Sequence, residues 1–328
     1  MPGLVTLGEA LIGLVANEHG PLAEASTFRA HVVGAELNTA IGVARLGHAA
    51  RFIGHVGDDG FGTAIQRRLR AEGVDTSHVT VDDRAPTGLL VRERRALGPA
   101  EVDYYRQASA GALLEPADVD AAAAFIASAQ WLHLTGITPA LSGSARAAVW
   151  RAIEVVESVP VGRRPVISLD VNLRRKLWGD VEAASVLRPI IARVDIVFSG
   201  VDEAEVIVGP LPNAKSNPGA LGRALLGLGA REAIVKLGTG GALSVSEEAG
   251  DIHRDALLLD RVIDPVGAGD GFCAGYVAGR LDGRDVATAL GWAVACGAAV
   301  AAVDGDVPGL PTRRELDRLL LDGPDAVR

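Results

Sequence analysis

Hydrophobic residues along the chain form short β-branched runs that alternate with longer amphipathic or alanine-rich stretches. The short runs are typical of strands, and the longer stretches are typical of helices. Their regular alternation predicts an α/β fold, with a doubly wound, mostly parallel sheet flanked by helices. The predicted strands are residues 4–7, 51–53, 131–134, 166–169, 196–198 and 233–237, and the predicted helices are residues 36–46, 64–71, 143–156, 181–192 and 220–228.

Two segments interrupt this alternation. Residues 87–94 and 101–106 are predicted to be paired strands joined by a turn around Gly98 and Pro99. Together with extended segments near residues 11–15 and 28–33, they predict a small second sheet built from about residues 11–33 and 87–106. Such an appendage can act as a lid that excludes water from reacting groups. The alternative is a surface hairpin without a gating role.

Composition and charge narrow the class of protein. The 328 residues contain no Pro/Ser linker, so we expect a single domain spanning residues 1–328. The formal net charge of −9 argues against a nucleic-acid partner or an anionic membrane surface, since both attract basic proteins. An anionic small molecule remains possible as a substrate, because a few arginines can reverse the field locally.

Cysteine content and uncharged segments favour a cytoplasmic protein. Cys273 and Cys296 are too few for a disulfide framework and lack metal-ligand spacing. The N-terminus shows no basic region typical of a signal peptide. Residues 121–145 contain proline and several polar residues, and residues 286–303 are shorter than a typical bilayer span of roughly 20 residues. We therefore expect no membrane-spanning segment.

The most informative motif is Asp-Pro-Val-Gly-Ala-Gly-Asp-Gly-Phe at residues 264–272. An apolar segment at 257–263, predicted as a strand, precedes it, and an apolar helix at 272–281 follows. This pattern places Gly267, Ala268 and Gly269 at a strand-to-helix turn. Unpaired amides and the positive end of the helix dipole make such a turn an anion-binding site.

Asp270 would stand in the first turn of that helix, where a carboxylate is electrostatically favoured and is expected to stay ionised. It can accept the proton of an attacking hydroxyl while nearby amides stabilise a transferring phosphoryl group. The alternative is that Asp270 only caps the helix. Two other phosphate-binding motifs are not supported. The P-loop sequence does not occur, and a dinucleotide fingerprint would lie close to the first strand, whereas this glycine cluster lies near the C-terminus.

Residues 264–272 resemble the C-terminal signature of the ribokinase-like (PfkB) carbohydrate kinases. A second match lies in the N-terminal half, in Gly-Ala-Glu-Leu-Asn at 34–38, Ala-Arg-Leu-Gly at 44–47 and Gly-x-Val-Gly-Asp-Asp-Gly-Phe-Gly at 54–62. The resemblance implies a ribokinase-like domain with a β-sheet lid, and ATP and Mg²⁺ as cofactors. It also implies that Asp270 is the general base and that Gly267, Ala268 and Gly269 form the anion hole.

Three further motifs are similar to those of the 2-keto-3-deoxygluconate kinases within this family. They are Tyr-Tyr-Arg-x-x-Ser-Ala-Gly at 104–111, His-Leu-x-Gly-Ile-Thr-Pro-Ala-Leu at 133–141 and Leu-Asp-Val-Asn-x-Arg-x-x-Leu-Trp at 169–178. This similarity implies phosphorylation of the terminal hydroxyl of a sugar acid. The implied sugar-binding residues are Gly34, Asn38, Tyr104, Arg106, Arg174, Asp270 and Asp306. Independently, Arg106 and Arg174 offer permanently charged planar donors that suit a carboxylate or phosphate.

The substrate remains open at this point. Another PfkB sugar kinase, such as a fructokinase or a 2-keto-3-deoxygalactonate kinase, would share most of these motifs. A non-catalytic sugar- or nucleotide-binding regulator is the alternative from a different class. We also expect a homo-oligomer formed through the lid, because exposed strand edges tend to pair.

On the nucleotide side the resemblance implies binding by several backbone and side-chain groups. They are Asn172, Lys236, Gly238, Thr239, Gly240, Gly241, Gly267 and Gly269, with Glu203 as a metal contact through water. Three positions depart from the family pattern. Leu90 stands where many relatives carry tyrosine, Gly200 where many carry asparagine or serine, and Val294 where some carry asparagine.

Overall fold

Thirteen strands form two sheets in residues 3–95, 101–211 and 217–322, the residues that this computed structural model describes. The strands are β1 Leu4–Leu7, β2 Leu11–His19, β3 Phe28–Val33, β4 Ala50–Gly57, β5 Val74–Asp82, β6 Gly88–Arg94, β7 Val102–Tyr105, β8 Trp131–Thr135, β9 Val166–Asp170, β10 Ile196–Gly200, β11 Glu232–Lys236, β12 Ala242–Ser246 and β13 Gly250–Arg254. The helices are α1 Ala35–Arg45, α2 Gly60–Ala71, α3 Pro116–Ala121, α4 Ala123–Ala127, α5 Thr138–Leu141, α6 Gly143–Ser158, α7 Asp180–Ile191, α8 Val201–Val208, α9 Pro218–Leu226, α10 Ala268–Leu281, α11 Val286–Ala301 and α12 Arg313–Asp322.

The main sheet has nine strands in the order β13-β12-β11-β10-β9-β8-β1-β4-β5. At one edge, β11 pairs antiparallel with β12 and β12 pairs antiparallel with β13. The other pairs in this sheet are parallel. Strand β4 lies beside β1 on one side, and β8, later in the chain, lies beside β1 on the other side, so the direction of the connections reverses at β1. Such a reversal opens a crevice at the carboxyl ends of the strands, where ligands bind in sheets of this type.

Helices cover both faces of the main sheet, as the alternation of elements predicts. On β1, the side chains of Val5 and Leu7 belong to one buried cluster together with residues of α6 and α7. Leu4, on the opposite face, belongs to a second cluster together with residues of α1, α10 and α11. Successive side chains of a strand point to opposite faces of the sheet, so neighbouring residues of β1 belong to different clusters. The predicted doubly wound α/β arrangement is confirmed.

The second sheet has four strands in the order β3-β2-β6-β7, and we call it the lid sheet. Strands β2 and β3 pair antiparallel, β2 and β6 pair parallel, and β6 and β7 pair antiparallel. Both predicted segments contribute strands to it, so the prediction of a small separate sheet is confirmed. The predicted turn around Gly98 and Pro99 lies outside the described residues.

The prediction of a strand at 257–263 is wrong. The edge strand β13 ends at Arg254, and the chain then runs irregularly to α10. Leu258, Val262 and Ile263 along this segment are exposed, and the Ile263 amide donates to Ala301 at the end of α11. An apolar run alone therefore does not make a strand where no neighbouring strand is available to pair with it. The motif at 264–272 lies at a loop-to-helix junction.

Helix α11 accounts for the uncharged segment at 286–303. Its 16 residues pack against α10 on one face of the main sheet, and half of them are buried. Within the described part of the chain, we find no helix with the length and apolar character needed to cross a bilayer. Cys273 and Cys296 are both buried and unpaired.

A buried histidine joins β4, β5 and α3. His55 Nδ1 lies 3.3 Å from Asp82 Oδ2, and its Nε2 lies 2.8 Å from Asp118 Oδ2. Arg84 also pairs with Asp82. Burial alone would lower the pKa of His55, but the hydrogen bonds and charges of Asp118 and Asp82 outweigh burial and raise this pKa. The protonated imidazole is thus the form that the fold stabilises.

We expect the substitution His55→Gln to destabilise the protein more at about pH 6 than at about pH 9. Because the folded-state pKa is raised, the contribution of His55 to stability is present below its unfolded pKa of about 6.5. That contribution is lost as the pH rises through the folded-state pKa. Urea unfolding should show a loss of roughly 1–3 kcal/mol at the lower pH. The exposed His19→Gln serves as control, and an equal loss at both pH values would contradict the account.

Candidate active site

A cavity of about 440 Å³ lies between the lid sheet and the carboxyl ends of the main-sheet strands. It adjoins a smaller cavity of about 70 Å³, and residues from the sheet, the lid and α10 line both. The shared lining includes Leu90, Tyr104, Arg174, Gly267, Asp270 and Asp306. The larger cavity adds Asn172, Glu203, Lys236 and Gly269, whereas the smaller adds Gly34, Asn38 and Arg106. Most of the residues implied by the motifs therefore surround one continuous site.

Asp270 lies in the first turn of α10 and is only 6% exposed. Asn38 Nδ2 donates to its Oδ2 at 2.8 Å, and Asn172 Nδ2 donates to its Oδ1 at 3.2 Å. Burial raises the pKa of Asp270, while the Asn38 hydrogen bond and the Arg174 charge oppose that rise. The position at the helix terminus, by contrast, favours the ionised form. Burial makes this carboxylate a stronger base than an exposed aspartate.

Asn38 links Asp270 to a second buried carboxyl group. Its Nδ2 also donates to Asp306 Oδ2 at 2.9 Å, and the two aspartates therefore share one amide. Burial and the nearby Asp270 charge raise the pKa of Asp306 to about 6. Two carboxylates this close disfavour each other's ionisation.

The amides at the start of α10 differ in their partners. The Ala268 amide donates to the Pro265 carbonyl at 3.3 Å. Among the described residues, no acceptor binds the amides of Gly267 and Gly269. Two unbonded amides at the positive end of a helix form an anion-binding site. The structure thus leaves two of the three predicted anion-hole amides free, and their role stays a prediction.

Glycine is required at two positions of this site. Gly267 adopts φ +78°, and a Cβ there would lie 2.8 Å from the Cβ of Asp306. Gly34 adopts φ +152°, and a Cβ there would lie 2.5 Å from the Glu9 carbonyl oxygen. Other residues rarely adopt such backbone angles. Gly34 precedes α1 and thereby directs Asn38 towards Asp270.

Half-buried Lys236 and buried Asp170 form an ion pair beside the anion-binding turn. Lys236 Nζ donates to both carboxylate oxygens of Asp170, at 2.8 and 2.9 Å. The same ammonium is close to α10, since a Cβ at position 269 would lie 3.4 Å from it. Burial disfavours the charge, but Asp170 outweighs this effect and raises the pKa of Lys236. A positive charge therefore lies next to Gly269.

The two predicted sugar-binding arginines differ in their pairing. Arg106 is buried, and its guanidinium forms an ion pair with Glu9. Glu9 also accepts a hydrogen bond from Ser109 Oγ at 2.7 Å. Within the described residues Arg174 has no ion-pair partner, and its guanidinium donates only a long 3.5 Å hydrogen bond to the Leu173 carbonyl. Arg174 is thus the arginine whose charge is available to an anionic ligand.

Asn172 and Glu203 place oxygen atoms on the larger cavity. Among the described residues, Asn172 is the one non-glycine residue with a positive φ, which is 38°. Its Oδ1 is buried and has no hydrogen-bond partner among those residues. Glu203 accepts the Leu173 amide at 2.9 Å and the Gly200 amide at 2.7 Å. Its carboxylate keeps further lone pairs. Carboxylate and amide oxygens suit Mg²⁺ bound partly through water, so this pair fits the metal that the resemblance implies.

The predicted nucleotide loop at Gly238, Thr239, Gly240 and Gly241 does not line either cavity. Residues Gly238–Gly240 form a short 3₁₀ turn directly after β11 and are exposed. Only Lys236, two residues earlier, reaches the cavity. Contact between this loop and a nucleotide stays a prediction.

Several residues of the site were not identified from the sequence. Asp170 neutralises Lys236, and Glu9 neutralises Arg106, as described above. Glu36 is fully buried beneath the site and accepts hydrogen bonds from Thr135 and Thr138. Burial raises its pKa to about 7. Asp170 and Glu36 both lie inside quoted motifs, so an acidic residue within a motif was the only available signal.

Comparison with known proteins agrees with the motifs. Residues 1–313 match the profile of the pfkB family carbohydrate kinases. The chain is 40% identical over 324 residues to the 2-dehydro-3-deoxygluconokinase of Thermoproteus tenax, covering 98% of this chain and 94% of that protein. It is 36% identical over 318 residues to the 2-dehydro-3-deoxygluconokinase of Bacillus subtilis, covering 96% and 94%. A 5-dehydro-2-deoxygluconokinase of Bacillus subtilis is 31% identical over 320 residues, covering 97% and 95%.

Solved structures confirm the ribokinase-like fold. The PfkB protein from Polaromonas sp. JS666 superimposes with a TM-score of 0.83 at 34% identity, covering 97% of this chain and 99% of that chain. An Escherichia coli protein described as a ribokinase II, solved in complex with ATP and Mg²⁺, gives a TM-score of 0.88 at 26% identity, covering 98% and 99%.

We expect Asp306→Asn to raise the free energy of unfolding at about pH 8 by roughly 3 kcal/mol. The pKa of Asp306 is raised to about 6, so ionising it in the folded protein opposes folding as the pH rises. The gain should therefore shrink towards zero near pH 4, where the carboxyl is neutral in the folded protein. Urea unfolding across this range measures it, with the exposed Asp317→Asn as control. A gain that does not change with pH would show that the pKa of Asp306 is not raised in the folded protein.

Proposed function

The chain belongs to the pfkB family of carbohydrate kinases, and from this premise we propose that it phosphorylates the terminal hydroxyl of 2-keto-3-deoxygluconate with ATP. This sugar acid is also named 2-dehydro-3-deoxygluconate. The observation that carries the proposal is the placement of Asp270. Its buried carboxylate lies at the start of α10, where the amides of Gly267 and Gly269 are free.

In the proposed reaction the sugar hydroxyl oxygen attacks the γ-phosphorus of ATP. Asp270 accepts the hydroxyl proton as the new P–O bond forms, and the bond to the β-phosphate oxygen breaks to release ADP. The raised pKa of Asp270 favours this proton transfer near neutral pH. The free amides of Gly267 and Gly269 donate hydrogen bonds to the charge that develops on the phosphoryl oxygens.

The residues of the larger cavity support ATP and Mg²⁺ as the other components. Mg²⁺ supplies neutralising charge for the β- and γ-phosphates in reactions of this type. Glu203 and Asn172 would hold it, partly through water. Lys236 would add a fixed positive charge next to Gly269, and Asp170 keeps that ammonium in place. The E. coli structure that contains ATP and Mg²⁺ is consistent with this cofactor pair.

The smaller cavity supports an acidic sugar as the acceptor. Arg174 has a charge available for a carboxylate, and Tyr104 adds a hydroxyl from the lid sheet. Leu90 pairs with Tyr104 across β6 and β7 and lines the same cavity without a hydroxyl group. At these two paired positions the lid therefore offers the sugar one hydroxyl, that of Tyr104. Selectivity should depend more heavily on Arg174.

Location and assembly complete the proposal. ATP as the phosphate donor agrees with a cytoplasmic location. The lid sheet exposes Phe28 and Tyr105, which are 40% and 65% exposed. Exposed aromatic side chains next to strand edges support assembly through the lid with a second copy of the chain.

A second candidate acceptor is a different keto-deoxy sugar acid. It is favoured by the 31% identity to a 5-dehydro-2-deoxygluconokinase. The free charge of Arg174 fits any acid of this size, so the site alone does not select the position of the keto group.

A panel of sugars tests the proposal directly. We expect kcat/KM with ATP and Mg²⁺ to be highest for 2-keto-3-deoxygluconate, and at least about tenfold lower for fructose and ribose, which lack the carboxylate. The panel should include the galactonate epimer and 5-keto-2-deoxygluconate. Arg174→Met should reduce this preference for acids. A wild-type preference for fructose would reject the proposed substrate.

Replacing the proposed base tests the mechanism. We expect Asp270→Asn to lower kcat by at least roughly 10²-fold, because the amide cannot accept the hydroxyl proton. Nucleotide affinity, measured by calorimetry with ADP and Mg²⁺, should change little, since the amides of Gly267 and Gly269 remain. The exposed Asp317→Asn is the matched control. Turnover close to wild type in Asp270→Asn would remove this residue from the mechanism.

A further inference from the structure

The lid sheet is joined to the anion-binding turn by a largely buried ion pair. Arg92 lies on β6, and its Nη1 donates to Asp264 Oδ1 at 2.8 Å, while its Nη2 contacts Oδ2. The two side chains are 13% and 6% exposed. A guanidinium that binds both oxygens of a carboxylate fixes its orientation as well as its position. The lid and the loop before α10 are therefore held in one defined arrangement.

Asp264 in turn shapes the backbone that carries the anion hole. Its Oδ1 accepts the Val266 amide at 3.1 Å, which closes a tight turn over Pro265. The Ala268 amide then bonds to the Pro265 carbonyl, and the Gly271 amide bonds to the Gly267 carbonyl at 2.9 Å. These bonds leave the amides of Gly267 and Gly269 free. The conformation of the anion hole thus depends on the carboxylate that Arg92 holds.

The lid also forms ion pairs with a second loop of the site, the one that carries Asp306. Arg94 and Arg29 both pair with Asp304, two residues before Asp306. Next to them, Gly305 adopts φ +90°, and a Cβ there would lie 2.7 Å from His31 Nδ1. Side chains of β3 and β6 therefore contact both loops that flank Asp270.

The same strand of the lid lines the sugar side of the site. Leu90 lies two residues before Arg92 on β6, and strand geometry places the two side chains on the same face. Leu90 and Tyr104, paired across β6 and β7, both line the smaller cavity. A sugar that contacts these residues would fix the strand that also holds Asp264.

We propose that Arg92 is a positioning residue that couples the sugar-bound lid to the anion hole through Asp264. This inference rests on the proposed kinase function. In the conformation in which the lid covers the sugar, the turn also presents the amides of Gly267 and Gly269. Phosphoryl transfer is therefore favoured when a sugar hydroxyl is present, and transfer to water is suppressed. In the uncoupled reaction, a water oxygen attacks the γ-phosphorus, and ADP and phosphate are released.

The experiment compares wild type, Arg92→Gln and Arg95→Gln. Arg95 is a matched control because it pairs with Glu93 inside the lid and makes no contact with the α10 loop. ADP release and sugar phosphate formation are measured together at saturating ATP and sugar. In Arg92→Gln we expect kcat for sugar phosphorylation to fall about 10- to 100-fold, because small misplacements of catalytic groups reduce rates by this order. More than one ADP should be released per sugar phosphate, whereas Arg95→Gln should keep the one-to-one ratio.

Two further variants separate positioning from a general loss of structure. Arg92→Lys keeps the charge but not the paired hydrogen bonds, so we expect it to recover only part of the coupling. Asp264→Asn combined with Arg92→Gln should be no worse than either change alone, because both remove the same contact. Additive losses, or a variant that raises only the sugar KM at an unchanged ratio, would overturn the proposal.

Hydrogen exchange provides a readout that does not depend on the substrate. Without Arg92, the bonded amides of Val266, Ala268 and Gly271 should exchange faster than in wild type and in Arg95→Gln, because the turn loses its support. Unchanged exchange at these amides would overturn the proposal even if activity falls. If wild type phosphorylates no sugar, the proposed function fails, and the exchange result still decides whether Arg92 supports the turn.

Discussion

The site depends on keeping one carboxylate buried against the start of α10. Burial makes ionisation of Asp270 unfavourable and raises its pKa. The hydrogen bond from Asn38, the charge of Arg174 and the positive end of the helix dipole oppose that effect. The balance produces a carboxylate that is more basic than one in water and is still able to ionise. A group of this kind is suited to accept a proton from a hydroxyl near neutral pH.

Several charged groups of the site form ion pairs that follow from the fold. Crossovers on either side of β1 open a crevice at the carboxyl ends of the strands. Lys236 and Asp170, at the ends of β11 and β9, lie in this crevice as an ion pair in which Asp170 is buried. Because a buried charge without a partner is strongly destabilising, each paired group holds the other in position. Arg174 has no such partner among the described residues, and its charge is available to an anionic substrate.

The sequence predicted those parts of the structure that depend on local pattern. The glycines before Asp270 correctly placed that residue in the first turn of α10, and the alternation of elements correctly predicted the main sheet. Residues 257–263 were misassigned because an apolar run does not reveal whether a neighbouring strand will pair with it. The ion pair between Arg92 and Asp264 was also missed, since 172 positions separate the two residues. Such partners are defined only by the tertiary fold, and the bond of the Ala268 amide to Pro265 depends on a turn that composition does not specify.

The most direct test of this account is a crystal structure of the protein with ADP, Mg²⁺, aluminium fluoride and 2-keto-3-deoxygluconate. The fluoride complex imitates the phosphoryl group during transfer. The account predicts that the terminal hydroxyl lies within about 3 Å of the Asp270 carboxylate. It also predicts that the amides of Gly267 and Gly269 point at the fluoride ligands. A hydroxyl that faces Asp306 or solvent instead, or a fluoride complex remote from those amides, would contradict it.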